Sequence, residues 1–116
     1  MSDRSDSDFV IDMLEAITRI SAYVASLDYE DFLSDTKTQD AVIRNLEVIG
    51  EAAKNISNEI REQHSSIPWR SMAGVRDRLI HDYFGVNIDI VWEIATTELP
   101  AVAESLNKIA GEVNDE

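Results

Sequence analysis

Eight consecutive residues, Arg76-Asp77-Arg78-Leu79-Ile80-His81-Asp82-Tyr83, gather two guanidinium groups, two carboxylates, an imidazole and a phenol. On a continuous helix, residues three and four apart are neighbours. Asp77 would then accept a hydrogen bond from His81, fixing the imidazole tautomer and raising its pKa. Arg78 would neighbour His81, and Arg76 would share a face with Tyr83. Arg76 and His81, five apart, would diverge by about 140°. One helix does not aim both at one small target unless the arginine curls or the helix loosens before Gly85. Two copies related by a two-fold axis would bring both residue types together.

Such a set suits cleavage of RNA, which supplies its own nucleophile. A histidine can take the 2'-hydroxyl proton or protonate the leaving 5'-oxygen. An arginine can stabilise the charge growing on the phosphorane. The product is a 2',3'-cyclic phosphate, no metal is required, and DNA lacks the attacking hydroxyl. The same spacing admits a plainer reading. His81 could bond locally at the surface, and Arg78 with Asp82 could be an exposed pair worth little.

The 116-residue chain has 44 % apolar and 28 % charged residues, a globular composition sized for one domain. We expect a single domain over 1–116 with an ordered core from about 8 to 112. Two prolines and four glycines favour long helices over a loop-rich sandwich. Cysteine is absent, which excludes disulfides and thiolate metal sites. His64 and His81 are too few and too distant for a histidine zinc site, so neither metal nor cofactor is expected. The acidic N-terminal segment lacks the pattern of a signal peptide, and no apolar run is long enough to span a bilayer. A soluble, cytoplasmic protein is expected. The formal net charge of -13 argues against broad nucleic-acid binding. It leaves room for a small basic site, because Arg61, Arg70, Arg76 and Arg78 cluster in sequence. The acidity itself reads equally as solubility or as adaptation to a salty cytoplasm.

Four stretches have helical periodicity. The first runs from about Asp8 to Leu27, with Asp6 or Ser7 as cap and Val10, Met13, Leu14, Ile17, Ile20, Val24 and Leu27 on one face. The second runs from about Gln39 to Gln63, with Val42, Leu46, Ile49, Ala53, Ile56 and Ile60 as its seam. Arg44, Glu47, Glu51, Lys54 and Asn58 form a polar stripe on another face, and Gly50 leaves room for a close neighbour. The third starts near Pro68 with Ser66 as a possible cap, runs through Tyr83 and stops at Gly85. The fourth runs from Asn87 to about Val113, with Pro100 expected to kink or interrupt it. The fold class is all-α, an up-and-down bundle of four main helices. His64 reads as a surface or helix-capping residue. Trp69 and Trp92 could stack on bases, but their apolar neighbours favour core packing.

Arg76, four intervening residues, then His81-Asp82-Tyr83 resembles the R-x4-H-x-Y pattern of HepT-like toxins in the HEPN superfamily. Asn45-Leu46-Glu47-Val48-Ile49-Gly50-Glu51-Ala52-Ala53, Ile67-Pro68-Trp69, Phe84-Gly85-Val86 and Val91-Trp92 extend the likeness over roughly residues 8 to 110. The resemblance implies a HEPN-like helical homodimer whose two motifs meet in a shared cleft. It implies Arg76 and His81 as catalytic residues, with Asp77 and Arg78 in support. Asp77 stands where relatives commonly carry a polar residue, often Asn. Tyr83 is implied as the residue that an MntA-type minimal nucleotidyltransferase antitoxin modifies with AMP, blocking RNA entry by charge and bulk. Arg44, Glu47 and Glu51 could line the cleft, or could equally form a solvated ladder of charge pairs.

The leading expectation is a metal-independent RNA endonuclease, the toxin of a toxin–antitoxin module, with tRNA among its candidate substrates. The alternative is a non-catalytic helical module that binds a nucleotide or a nucleotidyltransferase partner. A third is a dimerisation bundle without activity.

Overall fold

The computed structural model describes residues 4–80 and 85–113, with side chains described as far as residue 111. Helix α1 (Asp6–Val24) opens with a reciprocal cap. The Ser5 hydroxyl accepts from the Asp8 N–H at 3.3 Å, and the Asp8 carboxylate accepts from the Ser5 N–H at 3.0 Å. The cap is therefore Ser5, not Asp6 or Ser7. All three are capping residues, but only Ser5 has an acidic partner three positions on to complete the box. Val10, Met13, Ile17, Ile20 and Val24 are buried as the periodicity requires, whereas Leu14 and Leu27 are only partly covered. A short helix α2 (Tyr29–Leu33), capped by Asp28, was not expected. Five residues contain too little repeat to register as periodicity. Its Phe32 is fully buried and lies 5.1 Å from the Trp92 ring.

The expected second helix is two. Helix α3 (Thr36–Lys54) starts at an Asp35 cap, and α4 (Asn58–Gln63) starts at a Ser57 cap. Ser57 donates its N–H and its hydroxyl to Asp6, at 2.8 and 2.7 Å, so the break is pinned from α1. Arg61 donates to the Ala53 and Ile56 carbonyls at 2.7 and 3.2 Å, tying α4 back to the end of α3. The seam from Val42 to Ile60 stays buried across the break. Asn58, beyond the break, leaves the polar stripe.

The expected third helix is also two, α5 (Trp69–Ala73) and α6 (Val75–Leu79), parted at Gly74. Ser66 caps nothing here; Pro68 holds the N-cap position without a side-chain bond. Helix α6 does not continue to Tyr83. Ile80 turns extended (φ -77, ψ 128) and forms an isolated antiparallel bridge with Val86. The Asn87 N–H donates to the Leu79 carbonyl at 2.7 Å. Gly85 takes φ 101, a left-handed conformation suited to glycine.

Asn87 caps α7 (Ile88–Glu93), accepting from the Ile90 N–H at 3.2 Å. Pro100 does not interrupt the column that follows. A π turn (Ile94–Glu98) leads into α8 (Leu99–Val113), and the Leu99 N–H reaches back to the Ile94 carbonyl. The widened turn leaves space where a proline ring would otherwise strike the carbonyl four residues back.

Helix α1 packs on α3 and α8, and α5 lies against α3. Trp69 is buried and its indole N–H donates to the His64 carbonyl at 3.0 Å, while His64 holds the C-cap of α4. Both tryptophans serve packing. The class is all-α: among the described residues there is no strand, and no helix is long and apolar enough to cross a membrane.

Candidate active site

Helix α3 sets the site. Arg44, Glu47, Glu51 and Lys54 recur at steps of three and four, which puts them on one stripe. Gly50 lies within that stripe and lets α5 and α6 come close. A Cβ there would sit 3.2 Å from the Met72 carbonyl oxygen and 3.2 Å from Val75 Cγ1. Val75 is buried at this contact, and the next residue, Arg76, is carried out to the rim. The result is a cleft of about 270 Å³ lined by Arg44, Glu47, Gly50, Glu51, Lys54, Ala73, Val75 and Arg76.

Three cations meet two carboxylates in this cleft, a local positive excess on a chain of net charge -13. Lys54 pairs with Glu51 at 3.2 Å. Among the described residues, Arg44 and Arg76 are in no ion pair. Two exposed guanidinium groups left open above a small cleft can take an oxyanion such as phosphate.

Gly50 offers a direct test of this construction. Gly50→Val is expected to destabilise the fold by about 1–3 kcal/mol, because the contacted carbonyl is backbone and cannot swing aside. Gly50→Ala should cost less, since about 1 kcal/mol of helix propensity offsets the tight contact. Urea denaturation of both variants checks the ranking. Equal stability of Gly50→Val and the parent would mean that α3 and α5 are not held this closely.

The other motif residues are distributed differently. Asp77 is exposed on α6 and does not line the cleft. Arg78 turns away to Glu98, with Nη1–Oε1 at 3.0 Å and Nη2–Oε2 at 2.7 Å, and Nη1 also donates to Ser71 Oγ at 3.0 Å. His81, Asp82 and Tyr83 lie outside the described residues. The helical spacing used to pair Asp77 with His81 and Arg78 with Asp82 does not apply, because the helix has ended by Ile80. Lys54, a member of the same stripe, joins the cleft alongside Arg44, Glu47 and Glu51, the three expected to line it. Glu98 had no such signal, being 20 positions from Arg78.

The Arg78–Glu98 pair leaves a mark on titration. The hydrogen bond from Arg78 is the main cause holding the Glu98 carboxyl below its ordinary value, and the same bond raises Arg78. A carboxyl lowered in the folded state contributes stability above its unfolded pKa, and that contribution disappears as pH falls through the lowered value. Glu98→Gln should therefore be less stable than the parent near neutrality, by roughly 0.5–1 kcal/mol given the partial exposure. The gap should close as pH falls below the ordinary carboxyl range, through the lowered value. Urea midpoints across that range provide the check, and a gap independent of pH would refute the assignment.

Fold and site together define a small all-helical protein that presents exposed arginines at a charged cleft. The family model described as ribonuclease HepT-like matches residues 13–109. The chain is 46 % identical over 106 residues to a protein of Thermococcus cleftensis named probable ribonuclease HepT, covering 91 % of this chain and 96 % of that one. It is 40 % identical to a protein of Methanocaldococcus jannaschii provisionally named an RNase, covering 93 % and 89 %. It is 27 % identical to the mRNA nuclease HepT of Shewanella oneidensis, covering 91 % and 99 %. No solved structure gives a significant match. The chain belongs to the HepT-like family of ribonucleases, and by that membership it is a ribonuclease.

Proposed function

We propose that this ribonuclease is the toxin of a toxin–antitoxin module and cuts RNA without a metal, acting as one domain in the cytoplasm. The observation that carries the reading is Arg76, exposed on the rim of a positively biased cleft with no ion-pair partner among the described residues. Arg76 stabilises the charge that develops as the 2'-oxygen bonds to phosphorus. His81 either removes the 2'-hydroxyl proton or protonates the departing 5'-oxygen. The O5'–P bond breaks, leaving a 2',3'-cyclic phosphate and a 5'-hydroxyl. Arg44 adds a second guanidinium to the phosphate, while Glu51 holds Lys54 and Glu47 lines the same cleft. Two copies supply the complete cleft, each giving the motif residues of one half-site.

Tyr83 is the proposed acceptor of AMP from an MntA-type antitoxin. A phosphate and adenosine two residues beyond His81 would oppose entry of the RNA backbone. The substrate is RNA, with tRNA and mRNA as the classes to try first; the second is favoured by the Shewanella relative's name.

The test is cleavage of labelled tRNA and mRNA by the full chain in EDTA, with the product ends identified. Cyclic phosphate ends and activity indifferent to chelation are expected. Activity that disappears in EDTA and returns with a divalent cation would overturn the metal-independent mechanism. A second reading, a non-catalytic module that holds a nucleotide or a nucleotidyltransferase, is favoured by the net charge of -13, which repels RNA outside the cleft. Stable partner capture without any RNA cleavage would select it.

A further inference from the structure

We propose that Glu98 is a positioning residue for RNA cleavage, acting through Arg78 to fix the end of α6 on which the motif is mounted. The inference rests on the ribonuclease reading above. Helix α6 is only five residues long and has no side-chain cap at its N-terminus. A helix so short has almost no stability of its own. Burial of Val75 and Leu79 holds one face of it against the core. The Glu98 carboxylate adds a polar constraint through Arg78. It receives both Nη groups of Arg78 in parallel, a planar geometry that resists rotation of either partner. Ser71 accepts from the same guanidinium, so α5, α6 and the π turn are joined at one point.

Placement makes this joint consequential. Arg78 lies two residues after Arg76 and three before His81. The chain leaves the helix at Ile80, where its bridge to Val86 and the Asn87–Leu79 bond begin. A shift of α6 would therefore move Arg76 and the departure point of the His81 segment together. Glu98 closes the π turn itself, and wide turns of this kind recur at functional sites. The Glu98 carboxylate contacts Arg78 and is absent from the cleft lining, so its effect on cleavage is through position.

The experiment uses the full chain, with Glu98→Gln, the reciprocal pair Arg78→Glu with Glu98→Arg, and Leu106→Ala as a destabilised control. Leu106 is fully buried on α8 and contributes nothing to the cleft. Well below every variant's melting temperature, Glu98→Gln should lower kcat by about 10–100-fold with KM within about twofold, as expected for misplacement of reacting groups. The reciprocal pair should recover part of that loss, and Leu106→Ala should leave kcat unchanged. Amide exchange at Ile80 and Asn87 should quicken in Glu98→Gln but not at the α1 amides. Unchanged kcat, unchanged exchange, or an equal loss in Leu106→Ala would each overturn the proposal. If the wild-type chain cuts no RNA, the ribonuclease reading fails instead, and the exchange at Ile80 and Asn87 still decides whether Glu98 fixes α6.

Discussion

Arg76→Ala is expected to lower kcat for RNA cleavage by about 10²–10³-fold, the range found when one oxyanion-stabilising donor is removed. The guanidinium is exposed at the cleft rim and, among the described residues, no carboxylate claims it. Its loss should therefore leave the fold intact, with the melting temperature nearly unchanged. Arg76→Lys separates charge from geometry. Lysine keeps the positive charge but cannot present two parallel donors to a phosphate. It should bind RNA almost as well as the parent yet cut more slowly, so kcat falls while KM holds. Equal fall in both variants would mean bidentate contact is essential. Wild-type rates in Arg76→Ala would remove Arg76 from the chemistry.

His81→Ala is expected to cost about 10²–10⁴-fold in kcat, the contribution of a positioned general acid or base. His81 lies outside the described residues, but its flanks are anchored. Ile80 bridges Val86, and the Asn87 N–H meets the Leu79 carbonyl at 2.7 Å. The wild-type rate should carry a pH inflection from the imidazole that moves the proton. That inflection should vanish in the residual activity of His81→Ala. Persistence of the same inflection would assign it to another group and displace His81 from proton transfer.

Both predictions depend on parts of the molecule that differ in how openly the sequence displays them. The buried faces of α1, α3 and α8 follow from apolar spacing, since each helix is long enough for the repeat to define a face. The Asn87 cap and the close approach at Gly50 were legible for a similar reason: each is a residue type whose local chemistry admits few uses. Arg44, Glu47 and Glu51 could be placed on one stripe, but not assigned between cleft and solvent. Only the packing of α5 and α6 against Gly50 puts Arg76 across from them.

The run from Arg76 to Tyr83 shows the boundary most plainly. The residue types and their order are written in the chain, and they are enough to suggest RNA chemistry and the family. The sequence also determined the helical class and the apolar faces, because those depend on contacts within a few residues. It did not determine the path of the motif. Reading the segment as one helix assumed that local spacing continues to Gly85, yet the chain leaves the helix at Ile80 to meet Val86. Arg78 likewise had two plausible neighbours nearby, and its carboxylate partner among the described residues is Glu98, which the π turn ahead of Pro100 sets in place. Tertiary structure decided these points because they depend on contacts between segments that spacing along one helix does not relate.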